Sequence, residues 1–367
     1  MKAKLMVAVV ATLIALGLLV FKRSQVANPI TPSGQTNSLP TKRALAPRLP
    51  TPRLSVSSQS PLDFSEEAVS QTNLLARLLN GEEMPKLRPE QVQSYLEENH
   101  RSVGSLLAAF QTTDDRTFLQ EAMQKYPNDP RLDYVAWFRS QSPEERRQWL
   151  DAFKQSAPDN AFANYLSARD YFKSGQNDQA VQELLVAATK PIQDYSLDFV
   201  QNGEEAYRAA GYSDAEAKMI ATSSLLLPQL AEYKGVSQNL VELANAYRQS
   251  GDEASAQAAL QMATSLGQRL DGPGSLTIIQ SMVGIALQRI VLNSLDRNSV
   301  YGDSGQTVQS QIDVLSQRRE AIRALTGQVG KVLPAMSEQD LISYFDRMKT
   351  FGELAAIQWA ASKYAPP

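Results

Sequence analysis

The chain has 367 residues, 43% of them hydrophobic, with no cysteine and a single histidine, His100. That is enough to bury a core and long enough for two domains. The missing cysteines exclude disulfides and thiolate chemistry, and one histidine leaves little for a zinc site or a serine-type triad. The net charge of −3 hides an asymmetry: residues 1–62 carry eight Lys or Arg and no Asp or Glu, leaving 28 basic against 39 acidic residues beyond them, net −11. An acidic body argues against nucleic acid as a partner, because phosphate binding needs clustered cations.

The chain opens with Lys2 and Lys4 before an uncharged run, Leu5 to Phe21. As a helix this run is about 26 Å long, the short end of what spans a bilayer. Lys22 and Arg23 come next, where a cleaved leader has small neutral residues, so residues 1–23 read as an uncleaved signal anchor, with cleavage near Val26 and Ala27 as the alternative. Lys2 and Lys4 favour a cytoplasmic amino terminus, and Lys22 and Arg23 nearly balance them. Short anchors of bacterial type commonly export the downstream body, so the expectation is a single-pass inner-membrane protein with a periplasmic body. A cytoplasm-facing or secreted body stays open.

Residues 24–62 hold Pro29, Pro32, Pro40, Pro47, Pro50, Pro52 and Pro61, too closely spaced for a helix or a central strand. They read as a disordered tether whose cations either lie along anionic lipid or wall, or only keep it solvated. Past Leu62 nearly every segment has helical periodicity, and none alternates like a strand, so the body is predicted all-α. Helices at Ser65–Leu79 and Pro89–Phe110, the second with proline in its first turn, form a cap over residues 63–112.

Self-similarity begins downstream. Tyr126-Pro127-Asn-Asp and Ala157-Pro158-Asp-Asn each close one helix and start another, the pattern that capping physics favours. In Ala161–Ala188, Ala168, Tyr171, Gly175, Ala180, Leu184 and Ala187 match Ala244, Tyr247, Gly251, Ala256, Leu260 and Ala263 at identical internal spacing. Each set describes two helices folded back on one another, with small residues at the crossing and a glycine ending the first helix. Between them Tyr207 and Gly211 mark a degenerate copy in which Glu204 and Glu216 stand in place of the two alanines, predicting a hairpin packed at a different angle. These units resemble the tetratricopeptide repeat. The resemblance implies a TPR-like α-solenoid of four or five hairpins over residues 113–270, with the Ala161 and Ser237 units best formed.

Asp271-Gly-Pro-Gly274 breaks the pattern. Longer helices without the repeat signature are predicted over Ser275–Leu295, Thr307–Val332 and Ser337–Tyr364, the last opened by Ser337 and Asp340 in a capping-box-like start, giving a helical carboxy-terminal bundle over residues 271–367. The first of them is apolar on most of its circumference. It is either a buried central helix or a face that meets another subunit or the membrane.

Catalytic signals are weak. Tyr301-Gly-Asp-Ser-Gly305 contains a string seen in chymotrypsin-like proteases, but between helices it reads as a turn. The pairs Glu66-Glu67, Glu82-Glu83, Glu97-Glu98, Asp114-Asp115 and Glu144-Glu145 diverge by about 100° on a helix and read as solvated surface. His100 reads as an exposed helical histidine. No phosphate-cradling glycine loop, metal-ligand spacing or cofactor motif is present, so no cofactor, no metal and no catalytic residue is expected.

In the repeat family the open face of the first helices lines a groove. The resemblance therefore points to Tyr165, Arg169, Phe172 and Lys173, then Val241, Asn245, Arg248 and Gln249, whose Arg and aromatic side chains could hold a carboxylate-bearing or extended peptide. The alternative is that these residues are solvated or packed against neighbouring units. The lysine and asparagine set with which some family members clamp a terminal carboxylate is not reproduced. The expected role is a membrane-tethered interaction or scaffold protein with a protein or peptide partner in the cell envelope. An envelope-polymer hydrolase and a self-assembling homo-oligomeric subunit are the alternatives.

Overall fold

The computed structural model describes residues 84–272, 275–302 and 304–364. The expected anchor, tether and Ser65–Leu79 helix lie outside the described residues, as do Glu66-Glu67 and Glu82-Glu83. Among the described residues the chain is all-α, its only strand-like feature a single bridge between Val300 and Thr307. No described helix is long and apolar enough to cross a membrane.

The described residues form fifteen α-helices in order: α1 (Pro89–Glu98), α2 (Val103–Thr113), α3 (Arg116–Lys125), α4 (Pro130–Arg139), α5 (Pro143–Ser156), α6 (Ala161–Lys173), α7 (Asn177–Ala188), α8 (Ser196–Ala209), α9 (Asp214–Ser223), α10 (Gln229–Gln249), α11 (Glu253–Leu270), α12 (Ile278–Leu292), α13 (Val308–Val332), α14 (Glu338–Phe351) and α15 (Glu353–Lys363). Side-chain caps set most of the starts: the oxygens of Ser102, Asp115, Asp129, Ser142 and Asn160 each accept from a first-turn backbone N–H. Asp129 and Asn160 are the residues the Pro127 and Pro158 echo placed there.

Two predicted long helices are broken. Pro89–Phe110 divides at Asn99–Ser102, where His100 and Arg101 take left-handed φ angles of 53° and 48°. His100 is therefore exposed in a turn rather than on a helix. Arg101 is held in that turn by Glu121, whose carboxylate its Nε reaches at 2.6 Å, and Ser102 caps the new helix. Ser337–Tyr364 divides at Gly352, with φ 85°. A Cβ there would lie 2.6 Å from the Ser275 carbonyl oxygen, so only glycine lets the α14–α15 junction approach the start of α12. At that junction the Glu353 N–H donates to Leu276 O at 2.9 Å, and the Glu353 carboxylate accepts from Ile278 N at 2.7 Å. Burial pushes the Glu353 carboxyl above its usual range, against the bond from Ile278.

Helices pair as neighbours: α2 with α3, α4 with α5, α6 with α7, α8 with α9, α10 with α11 and α14 with α15. The repeat positions behave as their sizes dictate. Ala168, Ala180, Ala244 and Ala256 are fully buried at the crossings, and Gly175 and Gly251 supply left-handed turns with φ of 73° and 82°.

Stacking departs from chain order at the degenerate copy. Helix α6 packs against α5 on one side and α10 on the other, so the two well-formed hairpins meet directly. The α8–α9 hairpin between them in sequence lies elsewhere: α8 packs on α1 and α2, and α9 on α14. The remaining contacts run from α14 to α15, α13, α12 and back to α10 and α11. The helices thus form a closed circuit of contacts. Most of the apolar segment Leu276–Leu292 forms α12, central between α10, α11 and α13, with Ile285, Leu287 and Val291 fully buried. It crosses α11 where two glycines meet: a Cβ on Gly284 would lie 2.6 Å from Gly267 O.

Glu204 and Glu216 occupy crossing positions and are buried like the alanines they replace. Glu216 closes a capping box with Ser213. Glu204 accepts from Lys349 Nζ of α14 at 2.6 Å and from Lys218 Nζ of α9 at 3.4 Å, and Lys218 also reaches Asp346 at 2.5 Å. Desolvation opposes ionisation of Asp346, but Lys218 and Lys349 outweigh it and hold the carboxyl below its usual range. A charged residue at this crossing needs cationic partners, and α14 provides one of them.

Candidate functional site

Helix α6 presents two chemically distinct sides. Asn164, Ser167 and Tyr171 recur at i, i+3 and i+7, so they share one face. Tyr165, Arg169, Phe172 and Lys173 lie roughly opposite.

The first face floors a recess of about 510 Å³, lined by Lys154 of α5, Asn164 and Tyr171 of α6, and Asp178, Gln179, Gln182, Glu183 and Val186 of α7. Glu183 organises its base. Its carboxylate accepts from Asn164 Nδ2 at 2.6 Å, Lys154 Nζ at 2.7 Å and Ser167 Oγ at 3.1 Å. Asn164 and Ser167 are buried, so these bonds satisfy groups that water cannot reach. Burial works to lower the Lys154 ammonium, and Glu183 and Asp151 outweigh it, leaving its pKa raised. Arg147 of α5 donates to Ser167 Oγ at 2.8 Å, pairs with Asp170 and lies 3.8 Å from the centre of the Tyr171 ring.

With Lys154 and Glu183 paired at its base, the recess leaves the exposed side chains of Asp178, Gln179 and Gln182 facing its opening. Carboxamides both donate and accept, the complement an extended backbone needs. Leu185 and Val186 beside them are 46% and 42% exposed, adding an apolar edge.

The opposite face of α6, expected to line an open groove, is covered by α10. Tyr165 is buried with its ring edge-on to Tyr233 at 5.7 Å, and its hydroxyl accepts from Arg269 Nη1 at 2.9 Å. Burial raises the Tyr165 phenol, and Arg269 opposes the shift. Arg169 donates to Asn239 Oδ1 and pairs with Glu232 at 3.4 Å. Lys173 reaches the same Glu232 carboxylate at 2.8 Å, and Phe172 is buried. The carboxylate that faces these cations is Glu232 of the chain itself. Asn245 and Gln249 are exposed and Val241 and Arg248 half-buried at the other end of α10, with Arg248 pairing to Glu253 at 3.4 Å. The structure thus gathers Tyr165, Arg169 and Lys173 around one segment of α10 and leaves Asn245 and Gln249 facing solvent.

Lys154, Gln179, Gln182 and Glu183 were not singled out by sequence reasoning. The available signal was the polar triplet Asn164, Ser167 and Tyr171 on a helix whose buried positions are otherwise mostly alanine and aromatic.

Other candidates resolve locally. Ser304 Oγ accepts from Gln306 N at 3.3 Å in a turn where Gly302 and Gly305 have φ of 71° and 67°. Glu97, Glu98, Asp114, Asp115, Glu144 and Glu145 are exposed. Among the described residues no group of three His, Asp or Glu is placed to hold a metal ion. Asp271, at the end of α11, is buried with Arg318 Nη2 at 3.1 Å as its charged neighbour; burial pushes its carboxyl up to about 6 and Arg318 opposes the shift.

Comparison with known proteins finds no matching family model, no matching curated protein and no matching solved structure.

Proposed function

We propose that this is a tetratricopeptide-like interaction protein, anchored in the bacterial inner membrane by residues 1–23 and presenting its helical body to a protein or peptide partner in the periplasm. The observation that carries the reading is the recess between α5, α6 and α7. Its base is an ion pair between Lys154 and Glu183 with buried polar partners, its rim is one carboxylate and two carboxamides, and its edge is exposed aliphatic surface. That combination suits capture of an extended polypeptide, with amides pairing to backbone and Val186 taking an apolar side chain.

A photoreactive residue at Gln182 of the full-length chain in its membrane tests this. The expected result is a discrete crosslinked adduct that disappears when Asp178 and Gln179 are both changed to arginine. An adduct pattern indifferent to that change overturns the reading.

A further inference from the structure

Helix α10 is longer than its repeat unit. The matching first helix, α6, runs for 13 residues and α10 for 21, and the alignment with α6 begins at Ser237. The extra segment, Gln229–Val236, is the part that lies on Tyr165, Arg169 and Lys173.

This segment is fitted less well than the rest of the helix. Gln229 and Tyr233, four residues apart on one buried stripe, each leave a polar atom without a partner, Gln229 Nε2 and the Tyr233 hydroxyl, and Ser237 Oγ, the next position on the stripe just past the segment, does the same. The amide of Gln229 is half satisfied, its Oε1 accepting from the Tyr134 hydroxyl at 2.8 Å. Buried polar atoms are usually paired, so three on one seam identify a contact that costs more than a matched one. The stripe then changes character: Leu240 and Ala244 continue it as a fully buried apolar seam.

The backbone is weakened over the same stretch. Pro228 stands at the N-cap with no side-chain cap bond, and Gly235 lies in the helix interior, where it lowers helix propensity. That glycine leaves room for Arg169, since a Cβ would lie 2.2 Å from Arg169 Nε. The segment's Glu232 faces cations: Lys173 bonds it and Arg169 lies 3.4 Å from the same carboxylate, while the hydrogen bond of Arg169 goes to Asn239 beyond the segment and its Nε has no hydrogen-bond partner.

We propose that Gln229–Val236 is a displaceable occupant of the α4–α6 face, and that the ligand which displaces it is an acidic amphipathic helix presenting a carboxylate to Arg169 and Lys173. The cis segment occupies the face at high effective concentration, so a competitor gains access only when the segment detaches. This surface is separate from the recess, adding to the interaction reading without depending on it.

Hydrogen exchange on the full-length chain in detergent tests the detachment. Amides of Leu230–Val236 are expected to be protected at least tenfold less than those of Leu243–Tyr247, and Glu232→Lys should widen that gap. A fluorescent peptide with the sequence of Gln229–Gln249 should bind Glu232→Lys at least tenfold more tightly than wild type, and fail to bind Arg169→Glu/Lys173→Glu. Uniform protection along α10 in the unmodified chain overturns the proposal, as does equal peptide binding by wild type and Glu232→Lys. Substitution of Asp178 and Gln179, which tests the recess, is expected to leave the α10 exchange pattern unchanged, so the two failures are distinguishable.

Discussion

The α6–α7 and α8–α9 hairpins share a tyrosine, a glycine turn and the spacing between them, yet one joins the stack and the other leaves it. Two of the positions at which they differ lie at the helix crossing. Where α6–α7 has Ala168 and Ala180, α8–α9 has Glu204 and Glu216, and all four are buried. An alanine at a crossing accepts any close helix face. A buried glutamate needs donors, and Glu204 finds Lys218 on its own hairpin and Lys349 on α14. The lesson is that a degenerate repeat can be a specified junction: the substitution that spoils one interface selects another. It also brings the two well-formed hairpins into direct contact.

The largest expected effect breaks that junction. Lys218→Ala leaves Glu204 with one cation and should destabilise the chain by about 3 kcal/mol, as removal of one partner from a buried ion cluster does. Urea unfolding measures it, and a change below about 1 kcal/mol would show that the cluster does not hold α9 to α14. Next comes the close crossing of α11 and α12. Gly284→Ala places a Cβ against backbone and should cost about 2 kcal/mol, whereas at Gly235 the obstacle is a movable Arg169 side chain and the same change should cost less. Equal costs at the two glycines would count against the tight α11–α12 approach.

The smallest effect is in the pH profile. Burial raises the Asp271 carboxyl to about 6 from its ordinary 3.8, against the opposing charge of Arg318. The folded chain therefore retains a proton that the unfolded chain releases in this window, and stability falls as pH rises from about 4 to 6, then levels off. After discounting for solvent screening the loss is about 1 kcal/mol. Asp271→Asn should remove that portion of the slope; an unchanged profile would mean that the carboxyl is not perturbed.

Local elements were legible in the sequence wherever one residue type decides them. Asp129 and Asn160 cap helices, Gly175 and Gly251 end them, and the alanine crossings pack as expected. Breaks at His100–Arg101 and Gly352 were not legible, because each is fixed by a distant group: Glu121 for the first, the Ser275 carbonyl for the second. The candidate site was legible in half. Helical spacing put Tyr165, Arg169 and Lys173 on one face, and the structure sets Glu232 of the chain's own α10 against the two cations. Periodicity could not say that α10 would cover that face, nor that Asn164 and Tyr171 would line the open recess, because which face stays open depends on the skipped hairpin.

A double-mutant cycle between Glu204 and Lys349, 145 residues apart and 2.6 Å in contact, tests the junction most directly. Glu204→Gln, Lys349→Met and the pair, measured by urea unfolding, should give a coupling of about 2 kcal/mol. Additive effects, within about 0.3 kcal/mol, would contradict the placement of α8–α9 against α14.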